Sequence, residues 1–221
     1  MSSGGVGNRG LVLLRTIPLF NGVQDPELEQ IAGVASQRKV ARGTVIVRAG
    51  DATDSLYILI NGSARVLNSD EEGREVILSI LGPGDFFGEM GLIDGSPRSA
   101  DVVAAEACEM LVISKADFKR CLQENFDVAL NIMKRLVERL READRKIESL
   151  ALMDVYGRVA KLLLEFSEVH EGQRLIRRKV TKQDIAKMIG ASREMVSRVM
   201  KDLEASGYIR VEEGLIVLEE G

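Results

Sequence analysis

Two stretches of this sequence carry side chains with recognisable chemistry, and in both that chemistry is the holding of phosphate-bearing groups rather than bond-making. In the first, Gly88 and Glu89 precede Arg98 and Ser99. A glycine lets the backbone approach a ligand closely, and a short helical turn opening there aims unpaired N–H groups at a phosphate. Arg98 adds a guanidinium fork and Ser99 a hydroxyl for the same anion, while Glu89 can accept hydrogen bonds from a ribose hydroxyl. By themselves these two pairs are weak signals, and a plain β-turn with a surface salt bridge accounts for them more simply.

The second stretch is more specific. Thr181 and Asp184 have the spacing of a capping box, Ile185, Ala186 and Ile189 supply an apolar helix face, Gly190 sits at a tight turn, and Ser192 caps the next helix. Val196, Val199 and Leu203 turn that second helix inward, so the order of cap, small residue, glycine and second cap predicts a helix-turn-helix. Arg193, Glu194, Ser197 and Arg198 then lie on the outer face of the second helix, where arginine can fork onto guanine and glutamate can accept from cytosine. Lys182, opening the preceding helix, is placed for phosphate. A solvated charged face is the plain alternative, but the local charge favours DNA. Between Gln173 and Arg210 ten basic residues meet four acids, giving this stretch +6 in a chain whose net charge is −4.

No catalytic set accompanies these sites. His170 is the single histidine, and its polar surroundings predict a solvated loop residue. The two cysteines, Cys108 and Cys121, fit no metal or disulfide framework and are expected to be free and buried. Zinc sites and histidine triads need more such groups than the chain has, and no carboxylate pair sits in a recognisable catalytic motif. The expectation is a non-enzyme without a metal.

The elements that must position these residues are legible in outline. With 221 residues, 45% hydrophobic and 29% charged, the chain has room for two modest globular domains. The first ten residues lack an apolar signal core and suggest a floppy, cytoplasmic terminus, and no apolar run is long enough to span a membrane. Residues 10–36 suggest a helical lead-in. Short strands follow at Val45–Val47, Leu56–Ile60, Ala64–Leu67, Val76–Leu81 and Met110–Ile113, punctuated by glycines, with a polar hairpin tip at Asp70–Gly73; this is the texture of a small β-barrel or jelly roll. Helix returns near Lys115, and Ala129, Met133, Leu136, Leu140, Ala143, Ile147 and Leu150 step alternately by four and three. So narrow a seam favours self-association of two copies over packing on the chain's own barrel. Asp154 is placed to cap the next helix, bearing Val155, Val159, Leu162, Leu163 and Phe166; His170–Gln173 is a loop. Tyr208–Val211 and Leu215–Leu218, joined through Glu212–Gly214, form a β-hairpin wing. The fold class is α+β, with segments expected at 1–126 (sensor roll), 127–152 (dimerisation helix and hinge) and 153–221 (winged helix-turn-helix).

Taken together, these motifs resemble the CRP/FNR regulators, the family of the cyclic-AMP receptor protein. Phe87, Gly88, Glu89, Met90, Gly91 and Leu92 with Arg98, Ser99 and Ala100 resemble its phosphate-binding cassette. The run Ser192–Arg198 resembles its recognition helix and Leu150–Arg158 its hinge, and the likeness extends over about residues 15–218. The resemblance implies a double-stranded β-helix sensor, a central dimerisation helix, and ligand-driven rotation of the DNA-binding domains about the hinge. It implies that Phe87, Gly88, Glu89, Met90, Arg98 and Ser99 hold a cyclic nucleotide and that Arg139 faces the same pocket. Where cyclic-AMP-specific members contact adenine with a Thr-Ser pair, this chain has Ala143 and Asp144. Cyclic AMP is therefore the first expectation, with cyclic GMP and cyclic di-GMP as rivals. The implied partners are a second copy, meeting through Met133, Leu136, Leu140, Ala143 and Ile147, a palindromic double-stranded DNA operator, and RNA polymerase. The chain lacks the N-terminal cysteine cluster of the iron–sulfur members and the histidines of haem-binding ones.

Overall fold

The run Leu56–Ile60 is apolar at every position, so a strand built from it needs cover on both faces. A computed structural model, describing residues 7–177, 180–212 and 215–219, supplies both covers. The chain divides at Arg139/Leu140 into two compact units. The first begins with α1 (Gly7–Arg15), a 3-10 turn (Pro18–Phe20) and α2 (Asp25–Val34). Next come β1 (Ser36–Val40), β2 (Val45–Val47), β3 (Ser55–Asn61), β4 (Ala64–Ser69), β5 (Glu75–Leu81), β6 (Phe86–Phe87), α3 (Met90–Asp94), β7 (Asp101–Ala104) and β8 (Cys108–Ser114). Helix α4 (Lys115–Glu124) leads into α5 (Phe126–Leu152), which runs across the division.

All strand pairs are antiparallel, in two sheets ordered β1-β8-β3-β6 and β2-β7-β4-β5. Tyr57 and Leu59 of β3 fill the interior between the sheets with Ile46, Phe87, Val102 and Met110. Leu56 and Ile58 point the other way, onto a second core with Leu14, Leu28, Phe118, Val128 and Ile132 from the helices and Ile17 from the link after α1. Strand β3 thus serves two cores, which is why its sequence does not alternate.

Every strand expected in the roll is present, but three were not foreseen. β1 is polar because four of its five residues are exposed, β6 has two residues, and β7 is hidden in Asp101–Ala104 beside the cassette. Residues 7–10, expected to be floppy, are helical; residues 1–6 lie outside those described. Cys108 and Cys121 are free and buried as expected, and burial raises both thiol pKa values, that of Cys121 to about 11.

In the second unit, α6 (Val155–Phe166) starts where expected, with the Asp154 carboxylate accepting from the Gly157 amide at 2.8 Å. After it come β9 (Glu168–His170), β10 (Gln173–Ile176), α7 (Lys182–Ile189), α8 (Arg193–Ala205), β11 (Ile209–Glu212) and β12 (Leu215–Leu218). The strands form one antiparallel sheet, β11-β12-β10-β9. The expected loop around His170 is instead a hairpin. Its tip is Glu171 at φ +50° and Gly172 at φ +82°, a two-residue turn whose usual marker, asparagine or aspartate before glycine, is absent. One core joins the three helices to the sheet through Val159, Leu163, Ile176, Ile185, Val196 and Leu203. The wing hairpin forms as expected; Glu213 and Gly214 at its tip lie outside the described residues.

Candidate effector site and nucleic-acid interface

Gly88 follows β6 at φ +86°, and a Cβ there would fall 2.2 Å from Arg98 Nη1. Only glycine allows the guanidinium to come so close. Arg98 is itself buried: Nη1 donates to the Gly88 carbonyl at 2.9 Å, and Nη2 donates to the Ser55 carbonyl at 2.8 Å and to Asp54 Oδ1 at 3.3 Å. The Asp54 side chain is 79% exposed, so the buried cation is met mainly by carbonyl dipoles. Beneath it lies Tyr57, its ring centroid 5.7 Å from the guanidinium carbon and stacked 5.0 Å from Phe87.

Glu89 is 1% exposed, the most deeply buried acid described. Its Oε1 lies 2.5 Å from Arg139 Nη1, and Arg139 also donates to the Phe86 carbonyl and covers the Phe86 ring. A buried carboxylate needs such a partner to remain charged. Met90 and Ser99 are exposed beside them, the Ser99 hydroxyl donating weakly to the Met90 sulfur at 3.8 Å. The first unit therefore gathers Gly88, Glu89, Arg98 and Arg139 around one loop, with Phe87 turned into the roll interior. Ala143 and Asp144 belong to the second unit and are exposed on α5. Sequence reasoning missed Tyr57, Asp54 and the Ser55 carbonyl, which meet Arg98 across more than forty residues, its backbone held by Gly50 and Asp51, and which leave no local signal.

Helix α5 carries two stripes. Val128 and Ile132 are buried against the first unit's core, with Arg135 and Arg139 continuing that face. Of the expected seam, Met133, Leu140 and Ile147 are 49%, 62% and 65% exposed, and Ala143 is exposed too. Leu136 differs: it is partly buried on the core.

In the second unit the capping box closes as spaced, the Asp184 amide donating to Thr181 Oγ1 at 3.1 Å and the Thr181 amide to Asp184 Oδ2 at 3.2 Å. Gly190 takes φ +64° between the helices, and Ser192 Oγ accepts from the Met195 amide at 3.2 Å. Val196, Val199, Met200 and Leu203 are buried beneath α8, leaving Arg193, Glu194 and Arg198 exposed and Ser197 half-buried. Thr181 and Lys182 are exposed at the start of α7. Of the other basic residues in this segment, Arg178 and Lys179 lie outside the described residues, and Arg210 is engaged by Glu212 at 3.0 Å and Glu219 at 3.3 Å.

A β-roll with a buried guanidinium at its loop, a long helix and a winged helix-turn-helix make up the class of ligand-responsive transcription regulators. Residues 37–125 match the cyclic nucleotide-binding domain and residues 157–220 the Crp-like helix-turn-helix domain. The cAMP-activated global transcriptional regulator CRP of Pasteurella multocida is 37% identical over 198 residues, covering 88% of this chain and 95% of that protein. The cAMP-activated global transcriptional regulator Vfr of Pseudomonas aeruginosa is 38% identical over 194 residues, covering 83% and 89%. Among solved structures, the c-di-GMP responsive global regulator CLP of Xanthomonas campestris superposes with a TM-score of 0.77 at 28% identity, covering 90% of this chain and all of that one. The chain belongs to the CRP/FNR family of transcription regulators. No described helix is long and apolar enough to cross a membrane.

Proposed function

We propose that this regulator senses cyclic AMP in its roll and that occupancy changes its affinity for a two-fold symmetric DNA operator. The buried guanidinium of Arg98 carries this reading, because a cation balanced largely by carbonyl dipoles is complementary to a desolvated phosphate. Glu89, fixed by Arg139, is the acceptor for the sugar, and the loop residues Phe87, Met90 and Ser99 complete the wall. Two relatives named as cAMP-activated support the choice of nucleotide. A second reading, cyclic di-GMP, is favoured by Ala143 and Asp144, which replace the adenine-contacting pair of cyclic-AMP-specific members, and by the likeness to the c-di-GMP responsive regulator.

Residues 1–126 are the sensor, 127–152 the dimerisation helix and hinge, and 153–221 the DNA-binding part. Two copies meet through Met133, Leu140, Ala143 and Ile147, with Leu136 at the seam's inner edge. Arg193, Glu194, Ser197 and Arg198 meet base edges, Lys182 meets phosphate, Thr181 and Ser192 belong to the same DNA-binding face, and RNA polymerase is the protein partner. The role is binding, without catalysis. Calorimetry of the purified protein against cyclic AMP, cyclic GMP and cyclic di-GMP tests the effector, with DNA titration on a palindromic site carrying TGTGA-like half-sites run in parallel. Saturable heat with cyclic AMP and a shift in DNA affinity are expected. Heat with cyclic di-GMP alone would establish the second reading, and no heat with any of the three would end both.

A further inference from the structure

One ion pair in the first unit lies beside the effector loop without belonging to it. Arg135 Nη2 stands 2.9 Å from Asp85 Oδ1, and the two side chains are 30% and 25% exposed. The other Asp85 oxygen accepts from the Gly82 amide at 2.9 Å, and the Asp85 carbonyl accepts from the Leu59 amide at 2.8 Å. Asp85 is thereby built into the turn that enters Phe86, Phe87 and Gly88. One helical turn beyond Arg135 is Arg139, and four residues beyond Asp85 is Glu89, so α5 and the loop are joined by two parallel rungs: Arg135 to Asp85 and Arg139 to Glu89.

The rungs differ in what can disturb them. In the proposed function, which this inference extends, the Glu89 rung lies at the effector, whereas the Asp85 rung touches only protein. Val128, Ile132 and Asn131 seat the first turns of α5 on the core, but beyond them a single arginine contact on a flexible stem would leave the helix slack at the loop. Two contacts about one helical pitch apart, roughly 5.4 Å, fix both its rotation and its axial register. We propose that Arg135 is a positioning residue: its pair with Asp85 registers α5 on the turn entering the effector loop, so that a change at Glu89 and Arg139 displaces the helix and is not absorbed by slack.

Hydrogen–deuterium exchange of the full chain without ligand tests the rung directly. Arg135→Gln should raise exchange about fivefold in residues 82–90 and 130–139 together, leaving the rest of the first unit and the unfolding midpoint unchanged. Arg135→Lys, which keeps the charge, should restore protection in part, and Asp85→Asn, whose amide oxygen can still accept from the Gly82 amide, should reproduce the rise. Unaltered exchange in Arg135→Gln overturns the proposal, and so does a rise spread across the whole unit with a lowered midpoint, which marks a merely structural residue. Should Arg135→Gln fail to fold, Asp85→Asn decides: without raised exchange in residues 82–90 and 130–139 the rung has no role. With cyclic AMP as the probe, Arg135→Gln should also reduce the ligand-induced change in DNA affinity about fivefold while cyclic AMP still binds. Wild-type protein that gives no heat with cyclic AMP overturns the effector reading alone, because the ligand-free exchange comparison still decides the rung.

Discussion

Arg98 and Arg139 are both arginines in one loop's surroundings, yet burial and partners give them different work. Arg98 is fixed by backbone carbonyls and keeps charge to offer, whereas Arg139 spends its charge on Glu89. Arg98→Ala should therefore abolish effector binding, at a cost of roughly 2–5 kcal/mol for removing one member of a charge-assisted pair, while circular dichroism shows an intact fold. Unchanged affinity by calorimetry would place the phosphate elsewhere. In the proposed function a like division of labour is expected on the DNA face. Arg198→Ala should cost roughly 1–3 kcal/mol on the preferred operator and flatten discrimination at one guanine, whereas Lys182→Ala should weaken all DNA about equally and lower the salt slope by about one unit for each phosphate no longer neutralised. Titration on matched and singly substituted operators separates the two, and a uniform loss with Arg198→Ala would make it a backbone anchor. The cysteines have no part in either site. Because burial raises both thiol pKa values, that of Cys121 to about 11, little of the reactive thiolate exists near pH 8. Native protein should resist a thiol reagent at that pH, and denatured protein should release two equivalents; rapid native labelling would contradict the burial.

At the scale of elements, α5 is the decisive piece. Its heptad was visible in the sequence, and so thin an apolar seam pointed to a partner rather than a core. Hidden from the sequence was the second stripe, Val128, Ile132, Arg135 and Arg139, which mixes two aliphatics with two arginines and so escapes any hydrophobic count. Leu136 sits between the stripes, partly buried on the core, because residues four apart drift around a helix of 3.6 residues per turn. Leu140, 62% exposed, is the cleaner probe of the seam. Leu140→Lys should weaken self-association by at least about tenfold, since each charge would meet its symmetry mate in the seam. Sedimentation at low concentration reads this, and a full-strength dimer would remove Leu140 from the interface.

Across the whole molecule the charge is unevenly divided. Even with Arg210 drawn into ion pairs, the recognition segment is basic while the complete chain carries −4, so a nucleic-acid backbone is steered to that segment. Sensing and DNA binding must also be linked reciprocally. The factor by which cyclic AMP changes operator affinity should equal the factor by which the operator changes cyclic AMP affinity, typically about 5- to 150-fold. Measuring both sides of the cycle in one buffer checks it; a change in one affinity without the other would mean that the two ligands do not share a conformational equilibrium.

The sequence alone was sufficient for features whose cause is local. Capping at Thr181 and Asp184, the turn at Gly190, the cap at Asp154 and the period of α5 depend on neighbours within one or two helical turns, and each appears where its residues demand it. Strands β1 and β7 do not announce themselves, since β1 is almost wholly exposed and β7 spans only Asp101–Ala104, so that pairing partners define both. The same holds at the effector loop. Gly88 and Arg98 are suggestive as letters and equally suited to an ordinary turn. Only the folding of β3 beside β6, with the Arg98 backbone bonded to Gly50 and Asp51, brings the Ser55 carbonyl and Tyr57 to the guanidinium, and only the packing of α5 brings Arg139 to Glu89 and Arg135 to Asp85. Contacts between residues forty or fifty positions apart are set by the closure of the roll and the seating of the helix, and no local rule contains them.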